Sequence, residues 1–217
     1  MNLFFERLAR DWPEIAAKTV EHVNVAFISV AIACLIAIPL GIYCTRHERF
    51  AKVILTAISV IQTIPSLALF GFLIPIVGIG TKPAVIALTL YALLPILQNT
   101  YEGIRGVDQS VIESGVGMGM TRGQLLWKVQ MPIARSYIMA GIRLAAVHAI
   151  SGATIASYIA AGGLGDIITR GLASINTITL LEGALPVSLL VIIANIILFV
   201  LYRLLTPKGL RHTLNKR

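Results

Sequence analysis

Residues 23–43 read Val-Asn-Val-Ala-Phe-Ile-Ser-Val-Ala-Ile-Ala-Cys-Leu-Ile-Ala-Ile-Pro-Leu-Gly-Ile-Tyr, without a single charged side chain. A helix rises about 1.5 Å per residue, so about 20 apolar residues cross a hydrocarbon core of about 30 Å. The stretch is not a signal peptide. It starts too late, is too long, and is followed by Tyr43-Cys44-Thr45-Arg46 in place of a small-residue cleavage site. Four more apolar runs follow outward from it, at Val53–Ile76, Ala84–Asn99, Tyr137–Ala160 and Ala184–Leu204. Hydrophobic residues make up 57% of the 217-residue chain and charged residues 13%, with mean hydropathy +0.84. Soluble domains have about 45–50% and about 25%. The expectation is an all-α integral membrane protein with five transmembrane helices and no second soluble domain. Cys34 and Cys44, in or at the end of the first run, read as small packing residues, not as a disulfide or metal pair.

Five spans place the termini on opposite sides, and the basic residues choose the orientation. If the 44–52 loop, the 100–136 loop and the C-terminal tail from Arg203 share a side, that side holds, with Arg143 just inside the fourth run, thirteen Lys and Arg and four acidic residues. The other side holds Arg7, Arg10, Lys18, Lys82 and Arg170 against six acidic residues. The N-terminus is therefore expected outside and the C-terminus inside. The chain divides into an outer segment 1–18, a membrane domain 19–205 and a basic tail 206–217, whose Lys208, Arg211, Lys216 and Arg217 suit anionic headgroups. Placed this way, the basic excess gives no reason to expect nucleic acid.

Pro39, Pro65, Pro75, Pro95 and Pro186 punctuate the runs. A proline in lipid frees backbone groups that protein or a water-filled cavity must satisfy. Pro65 lies among polar residues in Gln62-Thr63-Ile64-Pro65-Ser66, and reads either as a kink that packs or as a break lining a pathway. No internal repeat is present, which removes support for the repeat architecture of many secondary transporters.

The fourth run carries two faces. Gly141, Ala145, Ala149, Ala153, Ser157 and Ala161 recur at spacing four, which lets another helix backbone approach closely. His148, Ser151, Thr154 and Tyr158 fall on roughly the opposite side. Such a helix is expected to sit centrally. His148 reads as a hydrogen-bonded structural histidine or, with Ser151 and Tyr158, as part of a pathway lining. Gln62, Ser66 and Tyr91 complete the candidate lining.

Residues 111–132 read Val-Ile-Glu-Ser-Gly-Val-Gly-Met-Gly-Met-Thr-Arg-Gly-Gln-Leu-Leu-Trp-Lys-Val-Gln-Met-Pro. Leu125, Leu126 and Val129 recur at helical spacing and Pro132 is expected to close the segment. An exposed loop that keeps Val116, Met118 and Trp127 suits short helices docking into a partner's groove.

This pattern resembles the cytoplasmic EAA loop of ABC importer permease subunits: Glu-Ala-Ala, three residues, Gly, nine residues, Ile-x-Leu-Pro. Glu113, Gly119 and Pro132 match outright, while Ser114 and Gly115 stand where the family has alanines. Val129 and Met131 are conservative replacements. The resemblance covers about Thr19 to Leu204 and implies the methionine-permease-like type I fold. It also implies a coupling role for Glu113, Ser114, Gly115, Gly119, Thr121, Arg122 and Pro132. The segments 62–69, 102–107 and Ala161-Gly162-Gly163-Leu164-Gly165 resemble permeases for glycine betaine, carnitine and choline. Implied partners are a second permease subunit, identical or related, two ATPase subunits and an external substrate-binding protein. ATP and Mg belong to the ATPase.

Other classes lack their residues. Gly115, Gly117 and Gly119 follow no strand, and no G-x-x-x-x-G-K-[ST] occurs, so no cofactor is expected on this chain. An intramembrane enzyme would need a buried nucleophile and base, a carboxylate pair or metal ligands, and the runs hold none. An importer permease for another small solute such as an amino acid remains the alternative, and a channel or membrane scaffold a remoter one.

Overall fold

A computed structural model describes residues 2–205, with side chains for 6–203. The basic tail expected at 206–217 lies outside the described residues. Every described element is helical. α1 (Asn2–Cys44), α2 (Glu48–Thr63), α3 (Ser66–Val77) and α4 (Thr81–Arg105) are followed by the short α5 (Gln109–Gly117) and α6 (Arg122–Leu125). A π-helical turn (Leu126–Gln130) joins α6 to α7 (Met131–Ile155); a 3₁₀ turn (Ala156–Ile159), α8 (Leu164–Ala173) and α9 (Thr177–Leu205) complete the chain.

Four helices are long and apolar enough to cross a membrane, or five if α2 and α3 count as one span bent by 99°. The second expected span is therefore not straight. Pro65 drives the residue before it into extended backbone, and Ile64 (ψ 127°) and Pro65 (ψ 137°) are both extended. The other prolines of the runs stay within helices.

α4 is the central helix, packed against both α1 and α7, which also meet each other. Its Ala84, Ala87, Ala92, Ile96 and Leu97 are fully enclosed. α9 lies at the periphery, with Leu189, Ile192, Ile196 and Ile197 exposed as lipid contact requires. The small face of α7 is real and is used within the chain: Gly141, Ala145, Ala149 and Ala153 are buried, and Ser157 is half-buried. A Cβ on Gly141 would stand 2.5 Å from the Pro95 carbonyl oxygen of α4. Cys34 and Cys44 are free thiols.

Two features lie beyond the apolar pattern. α1 is 43 residues long, roughly 64 Å at about 1.5 Å per residue, and runs unbroken across the 18/19 boundary. α8 is a short amphipathic helix wedged against the end of α7, where a Cβ on Gly165 would meet the Thr154 carbonyl oxygen at 2.2 Å. The turn leading into α8 is clamped by α1. Glu21 accepts the Gly163 N–H at 2.9 Å, and Lys18 bridges Glu21 and Asp166 at 2.9 and 2.8 Å. His22, 1% exposed, donates from Nε2 to the Ile150 carbonyl at 2.9 Å.

α8 ends with two backbone bonds, Ile175 N–H to Leu172 O and Asn176 N–H to Gly171 O, which form a Schellman motif. Its left-handed position is Ile175, at φ 51° and 93% exposed.

Candidate functional site

The break at Pro65 is held open by α4. Pro95 has no N–H, so the carbonyl four residues back, on Tyr91, loses its helical donor. Gln62 Nε2 supplies one at 2.7 Å. In return the Tyr91 hydroxyl donates to the Ile64 carbonyl at the break, at 2.6 Å. Backbone carbonyls at both breaks are thus satisfied from the other helix, while Ile64 N–H covers the Ile61 carbonyl four residues before Pro65.

Beside this corner opens a cavity of about 370 Å³ lined by Gln62, Ser66, Tyr91, His148 and Ser151, with Ile64, Leu88 and Gly152 as its apolar wall. Gly152 matters there because a Cβ would stand 2.5 Å from Leu88 Cδ2. The structure brings together five of the candidate lining residues from α2, α3, α4 and α7. Gln62 and Tyr91 use hydrogen-bonding capacity to hold the corner. The side chains of Ser66, His148 and Ser151 make no hydrogen bond with other described residues and remain available to a visitor. The lining carries no carboxylate, lysine or arginine.

Tyr158 is the exception. Extrapolating α-helical phase from His148 and Ser151 places it on the same face, but the helix tightens to 3₁₀ geometry at Ala156. Its side chain is exposed and does not line the cavity. The small-residue face points the other way into the chain, while His148 and Ser151 are exposed. The cavity is therefore open along one side of α7.

The segment expected as a loop over 100–136 is mostly helix. α4 continues to Arg105, and α5 starts at an N-cap that the sequence reading missed: Asp108 accepts the Ser110 N–H at 2.9 Å and its hydroxyl at 2.8 Å. The Ser110 N–H, then its hydroxyl, hold the Asp108 carboxyl below the usual carboxylate range. Glu113 is not a cap. It stands exposed in mid-helix, with Gln109 Nε2 donating to it at 3.2 Å. Ser114 back-bonds to the Ser110 carbonyl at 2.8 Å.

α5 closes with a second Schellman motif. Gly119 N–H bonds Val116 O and Met120 N–H bonds Gly115 O, with Gly119 at φ +76°. A Cβ on Gly119 would meet nothing within 4 Å, so its glycine serves the turn, not a close contact. Gly115 does the opposite: its Cβ would stand 2.7 Å from Leu125 Cδ1, and this contact docks α5 on α6. Thr121 and Gln124 form a reciprocal capping box at the start of α6, followed by exposed Arg122.

Pro132 does not close the segment. It lies in the first turn of α7, inside one continuous helical path from Arg122 to Ile159. The missing N–H and the clash with the carbonyl four residues back are absorbed by the π turn immediately before it, where Met131 N–H reaches Leu126 O. Two short helices were expected; one is α5, and the other is the end of the α7 span. Val116, Met118 and Trp127 remain exposed on this end.

A family profile described as "Binding-protein-dependent transport system inner membrane component" matches residues 37–210. The chain is 48% identical over 197 residues to the carnitine transport permease protein OpuCB of Listeria monocytogenes, covering 91% of this chain and 90% of that one. It is 44% identical over 211 residues, 97% of each chain, to the choline transport system permease protein OpuBB of Bacillus subtilis (strain 168). In fold it is similar to a chain of the inward-facing MetNI methionine ABC transporter, with TM-score 0.79 at 21% identity, over 89% of this chain and 97% of that one.

Proposed function

The chain belongs to the binding-protein-dependent transport system inner membrane components, and from that membership we propose that it is the membrane subunit of an ATP-driven importer for osmoprotectants such as glycine betaine, carnitine and choline. The substrate class rests on relatives named for those solutes. The observation that carries the mechanism is the polar cavity at the Pro65 corner, lined without carboxylate, lysine or arginine. Betaine and carnitine are zwitterions and choline is a cation. A lining of hydroxyls, one amide, one imidazole and one tyrosine ring, without carboxylate, lysine or arginine, offers no fixed counter-ion with which to prefer either kind. It can pass both and hold neither tightly, since a quaternary ammonium ion donates no hydrogen bond and a single aromatic face contributes only about 0.5–2 kcal/mol. Tight recognition then belongs to the external binding protein.

α2–α3 counts as one span of five, with segment 1–18 outside, 19–205 as the membrane domain and the basic tail 206–217 inside; the basic residues support this orientation. α5 and the cytoplasmic end of α7 dock on an ATPase through Glu113 and the exposed Val116, Met118 and Trp127, with Gly115 holding α5 on α6 and Gly119 shaping the turn between them. A second permease subunit covers the open side of the cavity at His148 and Ser151. ATP and Mg are held by the ATPase. Closure of the two ATPase subunits moves α5 and, through the continuous α6–α7 path, changes the side to which the cavity opens.

Proteoliposomes containing this chain with its ATPase and binding protein are expected to take up labelled glycine betaine, carnitine or choline only with ATP inside. Absence of ATP-dependent uptake of all three, with amino-acid uptake in their place, would replace the substrate class. Micromolar binding to the complex without its binding protein would place selectivity in this chain.

A further inference from the structure

Arg143 stands in the middle of α7, and the five apolar runs hold only one other Lys or Arg, Arg203 at the end of the last. It lies six residues past Tyr137, where its run begins, and so about 9 Å into the apolar layer. A charged side chain at such depth is costly and needs a partner. The ion pairs of the described residues join Arg10, Lys18, Arg105 and Arg170 to acids and leave Arg143 out. Its Nε donates instead to the neutral Asn195 Oδ1 of α9 at 2.9 Å, and its guanidinium carbon lies 5.9 Å from the centre of the Phe199 ring.

The setting is one that faces lipid. Arg143 is exposed, and so are Leu144 beside it and Ile192, Ile196 and Phe199 on α9. Helical side chains lean toward their helix's N-terminus, which for α7 is the α5 side of the membrane. Phe199 lies one turn beyond Asn195 in the same direction. The Nη groups make no hydrogen bond with other described residues. They form a planar fork that fits two oxygens of one phosphate or carboxylate. No Asp or Glu occurs in any of the apolar runs, so an identical second subunit brings no carboxylate to this depth. Soluble partners do not reach it. The phosphodiester of a phospholipid lies just beyond the apolar layer, within the range over which an arginine snorkels.

We propose that Arg143, Asn195 and Phe199 form a site for one phospholipid of the leaflet on the α5 side. The Arg143 Nη groups hold its phosphodiester, Asn195 fixes the guanidinium through Nε, and the tails run along α9 past Ile196 and Ile192. The bound lipid seats α9 against α7. The inference rests on the membrane placement proposed above and is independent of the substrate.

The test titrates the intact, delipidated permease–ATPase complex with three lipids of identical tails and reads the tightest-bound lipid by native mass spectrometry. Dioleoylphosphatidylglycerol and dioleoylphosphatidylethanolamine share the phosphodiester, and both are expected to bind. Dioleoylglycerol lacks it and is expected to bind at least ~10-fold more weakly, the scale of hydrogen bonds to a charged group. Arg143→Gln is expected to weaken both phospholipids by the same factor. Asn195→Asp, nearly isosteric, gives the guanidinium a carboxylate of its own and is expected to do likewise. Arg143→Lys keeps the charge without the fork and is expected to weaken binding about threefold; it decides the matter if Arg143→Gln does not assemble. Inorganic phosphate at matched ionic strength is expected to leave the phospholipid in place. Equal binding of dioleoylglycerol, or undiminished phospholipid binding by an assembled Arg143→Gln or Arg143→Lys complex, overturns the proposal. Displacement by inorganic phosphate overturns it too, by showing a site for free anions. Glycine betaine uptake reads the transport proposal separately.

Discussion

The turn after α5 and the turn after α8 close with the same pair of backbone bonds but stand at opposite ends of α7, and they use opposite residues. After α5 the left-handed position is Gly119, with open space around it. After α8 it is Ile175, a β-branched residue held where L side chains lose roughly 1–2 kcal/mol. A third such turn, after the 3₁₀ segment, has Ala160 there at φ 60°. The surroundings differ in the same sense. The α8 end is fastened by its own chain: α1 fixes the turn into α8 through Glu21, Lys18 and His22, and the Asn176 side chain accepts the Ile178 and Thr179 N–H groups to start α9. Enough is fixed there to hold a strained residue. At the α5 end, Val116, Met118 and Trp127 stand exposed and the cap network is local. One end is finished within the chain. The other keeps an unstrained turn and an apolar face for something else to cover.

The largest effect is expected from crowding the finished end. Gly165→Val places atoms within van der Waals radius of the Thr154 carbonyl; such overpacking costs about 1–3 kcal/mol or more, and here it separates α8 from α7. The variant should fail to accumulate in the membrane, and normal levels on a membrane immunoblot would break the contrast. Gly119→Asp comes next. It strains only the turn, so the protein should reach the membrane in normal amount while ATP-dependent uptake falls at least ~10-fold, about 1.4 kcal/mol or more at the coupled step. A well-expressed variant that transports normally would show that this turn does not couple. Gln62→Leu removes the donor to the Tyr91 carbonyl; loss of about 1–3 kcal/mol should lower the unfolding temperature measurably, and an unchanged one would return Gln62 to a purely cavity-lining part. The smallest change is expected at Ile175. Ile175→Gly relieves the left-handed strain and should raise stability by up to about 1 kcal/mol, whereas a loss would mean that its exposed side chain is held by another molecule in the complex.

Residue chemistry in lipid explains which parts were legible from sequence. Apolar runs announce spans because the bilayer tolerates little else, and Gly141, Ala145, Ala149 and Ala153 announce a contact because only small residues repeat where backbones meet. Gln62, Ser66, Tyr91, His148 and Ser151 could be picked out because polar groups within spans need a partner or a cavity. They do share one. Pro65 could not be resolved between kink and break, since the outcome depended on a donor from a different helix to a carbonyl freed by a different proline. Tyr158 was misplaced because a change from α to 3₁₀ winding leaves no mark in composition. The π turn, the length of α1 and the left-handed Ile175 likewise leave no mark in composition.

The π turn at Leu126–Gln130 also sets the rotational phase between the two ends of one long helix. An α-helix advances about 100° and 1.5 Å per residue, and a π turn accommodates one residue more than the ladder requires. Deleting a single residue between Leu126 and Gln130 would restore regular winding and swing everything before it by about 100°, carrying the Gly115–Leu125 contact along with it and aiming α5 at a different quarter. The bulge acts as the missing tooth of a gear: it fixes the angle at which a push on one end is delivered to the other.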